Sequence, residues 1–247
     1  LTLPAPSDTI VNDRELYQRA CESIFLVCSL YRDEAAGDWQ TSLATAFAVT
    51  EDGVLSTSCH VFDNEDHADA VIVMDVHKNV YPVTELLAAN RSADTCLFRI
   101  DARNLKPLPL GDDAVPGTPV RIVAHPGDSF YYFSSGHLAN YERDDERTVW
   151  MNVTADFGQG SSGGPVFNEH GHVIGQVSRT FTLYAGSAET RGRPRRTAGE
   201  TKLAEKTATD AKTAAEEFLD PQMVFKSCVP VRSLRDLVKV KEPPADE

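Results

Sequence analysis

Apolar and polar positions alternate in short runs along most of this chain. Val54-Leu55-Ser56-Thr57 and Thr95–Ile100 are typical: a few residues rich in Val, Ile, Leu, Phe or Thr, bounded by Gly, Asp, Asn or Pro. That pattern predicts strands, because helix faces would instead repeat every three to four residues. Strands are predicted at Ile24–Tyr31, Leu43–Thr50, Val54–Thr57, Ala70–Val76, Val80–Leu87 and Thr95–Ile100. After a connection from Asp101 to Pro116, a second series follows at Val120–Ala124, Phe130–Ala139, Val149–Thr154, Pro165–Phe167, Val173–Ser178 and Val224–Val231. Asp52-Gly53 reads as a hairpin turn. An all-β chain in two subdomains is the expectation. Helical patterns fall only at Asp13–Glu22 and Ser233–Lys239, where Leu234, Leu237 and Val238 share one face.

Between Thr182 and Met223 the strand rhythm stops. Arg191-Gly192-Arg193-Pro194-Arg195-Arg196 is basic and turn-rich, and Glu200 to Leu219 is rich in Ala, Lys, Glu and Thr before Asp220-Pro221. The capping pair Thr197/Glu200 and the proline stop predict a loop followed by a surface helix. Its large apolar residues are Leu203, Phe218 and Leu219, which anchor it weakly. A partly helical insertion at about 183–221 is therefore expected, as a surface excursion or as a partner-docking element.

Composition narrows the choices. At 247 residues and 41% hydrophobic content the chain can bury a substantial core. No run approaches the roughly 18 apolar residues of a membrane span, and Leu1 opens no basic and then apolar leader, so a trimmed form is expected. A net charge of −13 argues against a nucleic-acid partner, whose phosphates need clustered Lys and Arg. Five cysteines, Cys21, Cys28, Cys59, Cys96 and Cys228, cannot all pair within one chain and show no metal-type spacing. Cys28 and Cys96 lie in apolar runs and read as buried small side chains. Asp63, Asp66 and His67 could suggest a metal site, but solvated loop charges explain them as well. No cofactor or metal is expected.

The candidate chemistry sits in three places. Gly160-Ser161-Ser162-Gly163-Gly164-Pro165 is a turn in which glycines permit close backbone approach, so that consecutive amides can aim at one point. Alone it could be a linker; the flanking Pro165-Val166-Phe167 and Val173-Ile174-Gly175 make it a hairpin instead. His60 directly follows the strand Val54–Thr57, and Asp94 opens an otherwise apolar strand, where an unpaired carboxylate would be costly. A serine hydroxyl needs a base and a group that orients the base. His60, Asp94 and Ser162 supply these in the order His, Asp, Ser, with the amides of Gly160 and Ser162 as oxyanion donors.

These motifs resemble the trypsin-like serine proteases, closest in style to the bacterial HtrA/Deg-like group. The resemblance rests on Thr45-Ala46-Phe47-Ala48-Val49, Cys59-His60-Val61, Asp94-Thr95-Cys96-Leu97-Phe98, Gly160–Pro165 and Val173–Ser178, and spans roughly residues 12 to 240. It implies two antiparallel β-barrels: an N-terminal one over 12–105 carrying His60 and Asp94, and a C-terminal one over 106–240 carrying Ser162, with tails at 1–11 and 241–247. It implies a serine endopeptidase acting on polypeptides, exported to the periplasm or outside the cell. Asp156 would sit at the base of the primary specificity pocket and Ser178-Arg179-Thr180 would form its wall. Asp156 would select basic residues unless Arg179 neutralises it; small aliphatic residues are the competing preference.

The chain also departs from the family. Ser161 stands where zymogen-type relatives carry an acidic residue, so activation by a new N-terminus is not expected. HtrA-type proteins usually carry a PDZ domain after the protease, and none is expected between residue 240 and Glu247. Two other readings are a trypsin-fold binding protein without activity, which ordinarily lacks a triad member, and an α/β-hydrolase. The latter fits Gly160–Gly164 as GxSxG but needs a later His that His170 and His172, too near the serine, do not provide.

Overall fold

The computed structural model describes residues 1–32, 37–62, 68–144, 147–184 and 221–238. Each of the twelve predicted strands is present among them: β1 Ile24–Arg32, β2 Trp39–Ala48, β3 Val54–Thr57, β4 Ala70–Met74, β5 Val80–Asn90, β6 Thr95–Ile100, β7 Pro119–Ala124, β8 Tyr132–Arg143, β9 Val149–Val153, β10 Pro165–Phe167, β11 Val173–Tyr184 and β12 Pro221–Pro230. Helices α1, Asp13–Cys21, and α2, Val231–Val238, lie at the ends, and Cys59–Val61 is a short 3-10 turn. The polar loop with Asp63, Asp66 and His67, the basic and helical parts of the insertion within 185–220, and the tail at 241–247 lie outside the described residues.

The strands close into two antiparallel barrels, β1-β2-β3-β6-β5-β4 and β10-β11-β12-β9-β8-β7. Closure removes open sheet edges. Phe25, Val27, Ala46, Leu55, Val73 and Phe98 fill the first barrel. Ile122, Leu138, Met151, Val166, Ile174 and Cys228 fill the second. A third cluster joins Ile24, Phe47, Val49 and Leu97 of the first to Val123, Phe167 and Val173 of the second, with Leu16 of α1 and Leu234 of α2 packed in. Each such buried side chain contributes about 1.5–3 kcal/mol, so the barrels are held face to face by a core of their own.

Some strand ends run past their apolar pattern. β8 begins at Tyr132 rather than Phe130 and continues to Arg143, because Tyr141, Glu142 and Arg143 pair with Met151, Trp150 and Val149 of β9. Polar residues carried by a ladder leave no hydrophobic signal. Helix α1 starts where predicted: the Asn12 side chain accepts a hydrogen bond from the Glu15 amide at 3.0 Å, and Leu16 and Ala20 face the core. Compact clustering also separates Thr180–Phe225 as a second unit, in which Phe181 and Phe225 lie with ring centroids 6.4 Å apart. None of the five cysteines forms a disulfide.

Candidate active site

His60 lies in the 3-10 turn after β3, where Cys59 and Val61 on either side are buried and anchor it. Its own side chain is 52% exposed, so the ring projects into the cleft while its neighbours hold the backbone. Asp94 ends the turn before β6, at φ 53°. Few non-glycine residues enter this left-handed region, and aspartate is among the more tolerant. The turn is closed by the Asn90 side chain, which accepts from the Ala93 amide at 3.0 Å.

The Asp94 carboxylate meets His60 twice: its oxygens lie 2.9 and 3.0 Å from Nδ1, and one also accepts the His60 amide at 3.0 Å. Burial by itself would raise the Asp94 carboxyl, but the hydrogen bonds and charge of His60, with a further bond from Ser178, outweigh it and hold it below the usual carboxylate value. An ionised Asp94 fixes the proton on Nδ1 and leaves Nε2 as an acceptor. Among the described residues Nε2 has no hydrogen-bond partner.

Ser162 belongs to the second barrel. The turn around it is tightly bonded: the Ser161 amide donates to Gly158 O at 3.0 Å, the Gly164 amide to Ser161 O at 2.9 Å, and the Gly163 amide to Val177 O at 2.8 Å. Ser161 is fully buried and its hydroxyl accepts from the Gly158 amide at 3.4 Å, closing the turn without a carboxylate. Gly160 adopts φ 91°, and a Cβ there would stand 2.3 Å from the His125 carbonyl oxygen, so only glycine fits. The amides of Gly160 and Ser162 donate to no protein acceptor among the described residues.

Ser178 links the two halves. Its hydroxyl donates to Asp94, and its carbonyl accepts the Ser162 hydroxyl at 3.3 Å. The serine hydroxyl thus rests on the Ser178 carbonyl rather than on His60; catalytic hydrogen bonds of unliganded sites are commonly long or diverted. Around this chain runs a buried polar seam between the barrels. The Thr45 amide donates to Ser162 O at 2.9 Å, the Ser58 hydroxyl to Val177 O at 3.1 Å, and the Ser56 hydroxyl to Gln176 at 2.6 Å.

The expected specificity residues are only partly gathered. Ser178 is at the centre. Arg179 is exposed and its guanidinium lies over Trp150, 3.7 Å from the ring centroid, and Thr180 is exposed in β11. Asp156 is 76% exposed and pairs at 3.0 Å with Lys226, which also donates to Phe157 O at 2.9 Å. The cation on Asp156 is therefore Lys226 rather than Arg179. Thr45 and Gln176 lie inside motifs read from the sequence, but nothing local marks the bonds they make across the barrels; the buried His125, just after β7, belongs to none of those motifs.

Two closed six-stranded barrels, a carboxylate-held histidine on one and a glycine-rich serine turn on the other define a protein of the trypsin-like class. The family model for trypsin-like peptidase domains matches residues 44–175, more than half of the sequence, and the chain belongs to that family. Over 150 residues it is 31% identical to a probable periplasmic serine endoprotease, DegP-like, of Halomonas elongata, covering 59% of this chain and 31% of that protein. It is 28% identical over 152 residues to a protein of the same description from Marinomonas, covering 60% of this chain and 32% of that protein. The chain thus spans about a third of the length of the curated relatives it matches. Among solved structures it resembles a variant of the HtrA-type protease AlgW with a tripeptide, at a TM-score of 0.66 and 16% identity, covering 92% of this chain and 62% of that one. The HtrA/Deg-type resemblance read from the motifs agrees with these relatives, and nothing favours a silent binding protein.

Proposed function

We propose that this chain is a serine endopeptidase domain of the HtrA/Deg type, with His60, Asp94 and Ser162 as its catalytic residues. The observation that carries the reading is the hydrogen-bonded line His60–Asp94–Ser178–Ser162 across the two barrels, beside the two unpaired amides of the serine turn. For reaction the Ser162 hydroxyl leaves the Ser178 carbonyl and turns to His60 Nε2. His60 then accepts the hydroxyl proton as the oxygen attacks the scissile carbonyl, and returns it to the leaving amine. Asp94 stabilises the imidazolium formed in between. The amides of Gly160 and Ser162 take the negative charge of the tetrahedral intermediate, and water releases the acyl-enzyme by the same steps. His60 and Asp94 act from the barrel assigned to 12–105, and Ser162 from that assigned to 106–240.

The substrate is a polypeptide, laid in extended form along the middle of β11 at Ser178–Thr180. A tripeptide accompanies the AlgW variant. With Lys226 already on Asp156, this carboxylate has little charge left for selecting Arg or Lys, which favours small aliphatic side chains at the cleaved position. The periplasmic description of the relatives supports export. The test is cleavage of casein by the wild type and by Ser162→Ala, His60→Ala and Asp94→Asn. Each substitution should reduce turnover by about 10⁴-fold or more while the fold persists, and the triple variant should be little worse than the worst single one. Undiminished cleavage by Ser162→Ala would overturn the assignment.

A further inference from the structure

His125, just after β7, is fully buried and lies behind the serine turn. Its main chain is joined to that turn in two ways. The His125 amide donates to the Thr45 hydroxyl at 3.1 Å, which itself donates to Gly160 O at 2.8 Å. Its carbonyl oxygen packs directly against Gly160, where a Cβ would be only 2.3 Å away. Two residues on, the Gly127 amide donates to Gln159 O at 2.7 Å. The loop from His125 to Tyr131 is therefore the backing of the Gly160–Ser162 turn.

The imidazole ties this loop shut. Nδ1 accepts the Tyr131 amide at 3.1 Å, and the Tyr131 ring stands edge-on to it with centroids 4.6 Å apart. Tyr131 has φ 54°, a conformation that bulky side chains avoid, so the bond holds a residue that would otherwise relax. An acceptor at Nδ1 means that the ring is neutral with its proton on Nε2. The Nε2 position meets no acceptor at hydrogen-bond geometry. Adding a proton at Nδ1 would set two N–H groups against each other.

We propose that His125 is a positioning residue for the oxyanion turn: through its Nδ1 bond to the Tyr131 amide it holds the loop that fixes Gly160. The inference rests on the peptidase reading of Ser162 and goes beyond it to a residue that never touches substrate. Burial favours the neutral ring, pushing the imidazole down to about 4, against a smaller opposing effect of the Phe25 carbonyl. The titratable groups that act on Tyr131 are Tyr17 and Cys21 of α1, Glu22 beyond its end, and Asp75, and no charged group acts on His125. None of them supplies a second cation.

Asparagine and glutamine separate the two ring positions. In His125→Asn the amide oxygen can occupy the place of Nδ1 and accept the Tyr131 amide; in His125→Gln it reaches the place of Nε2 and cannot. His125→Asn should keep kcat within about threefold of wild type, while His125→Gln should lose about 10- to 100-fold in kcat with KM within about twofold. That loss falls short of removing an oxyanion donor outright, which costs about 10²–10³. Hydrogen exchange read on the same proteins does not depend on activity. Amides in 125–133 and in 157–164 should exchange about tenfold faster in His125→Gln and at the wild-type rate in His125→Asn. Equal kcat in the two variants, or faster exchange confined to 125–133, would overturn the proposal. If the wild type itself cleaves nothing, the peptidase reading fails, and the exchange pattern still decides whether His125 holds the turn.

Discussion

The buried imidazole of His125 also makes stability depend on pH in a direction and amount that can be stated beforehand. In the unfolded chain a histidine takes up its proton near 6.5; in the folded protein burial delays this to about 4. Between these values the unfolded chain holds one more proton than the native one, so protons pull toward unfolding. The full stability is present above about 6.5, falls by about 1.4 kcal/mol for each pH unit on the way down, and levels off below about 4. Summed over the window, the loss is about 3 kcal/mol. For a domain stable by about 5–15 kcal/mol that is a large fraction.

Other groups titrate nearby, so the measurement must be a difference. His172 is also shifted down, first by burial, and adds to the acid loss. Asp94 has a lowered value: its contribution is present above the ordinary carboxylate range and is lost only as pH falls through its folded value, at the bottom of the window. Urea unfolding of the wild type and of His125→Asn at about pH 7 and about pH 4.5 removes these shared terms. The wild type should lose about 2.4 kcal/mol more than the variant between these two conditions, most of the full window. Parallel losses would refute the reasoning, because they would mean that His125 takes its proton equally well folded and unfolded.

Two further outcomes are expected. Ser178→Ala removes the hydroxyl that donates to Asp94 but keeps the carbonyl that accepts from Ser162; a hydrogen bond to a charged group is worth about 1.5–3 kcal/mol, so kcat should drop about tenfold or more with KM little changed, and unchanged kinetics would remove Ser178 from the machinery. In a peptide-library profile the wild type should cut after Val, Ala or Leu, and Lys226→Ala, by freeing Asp156, should add cleavage after Arg and Lys; a wild type that cuts mainly after Arg or Lys would contradict the neutralised carboxylate.

Much of the fold could be read from short-range pattern alone. Strands such as Val54–Thr57 and Thr95–Ile100 match their predicted bounds, since each is apolar over its whole length and stopped by turn residues. Where a strand is held by pairing rather than by burial the pattern fails, as at the polar end of β8. The site divides along the same line. His60, Asp94 and Ser162 stand out because each breaks its surroundings: an imidazole or a carboxylate at the edge of an apolar strand, a serine among glycines. The partner of Asp156 did not stand out, because Lys226 lies 70 positions away and nothing local links them.

The residues that hold the site together are the ones the sequence conceals best. Thr45, Ser56 and Ser58 are nearly or wholly removed from water, where an unmet hydroxyl costs at least about 1–3 kcal/mol. Each hydroxyl finds its partner only across the gap between barrels: Thr45 at Gly160, Ser58 at Val177, Ser56 at Gln176. In a strand, Ser and Thr are unremarkable, and their partners lie more than a hundred residues away. The requirement that buried polar groups be satisfied therefore does more than stabilise the contact. It selects one register of barrel on barrel, the register in which the Ser178 hydroxyl meets Asp94 while its carbonyl meets Ser162. An apolar seam would tolerate a slide of the two barrels at little energetic cost, whereas this seam leaves several buried groups unpaired for any displacement larger than a hydrogen bond can follow. The geometry of the proposed triad is set by the same bonds that dock the barrels, and its residues are as scattered in sequence as the docking surface is.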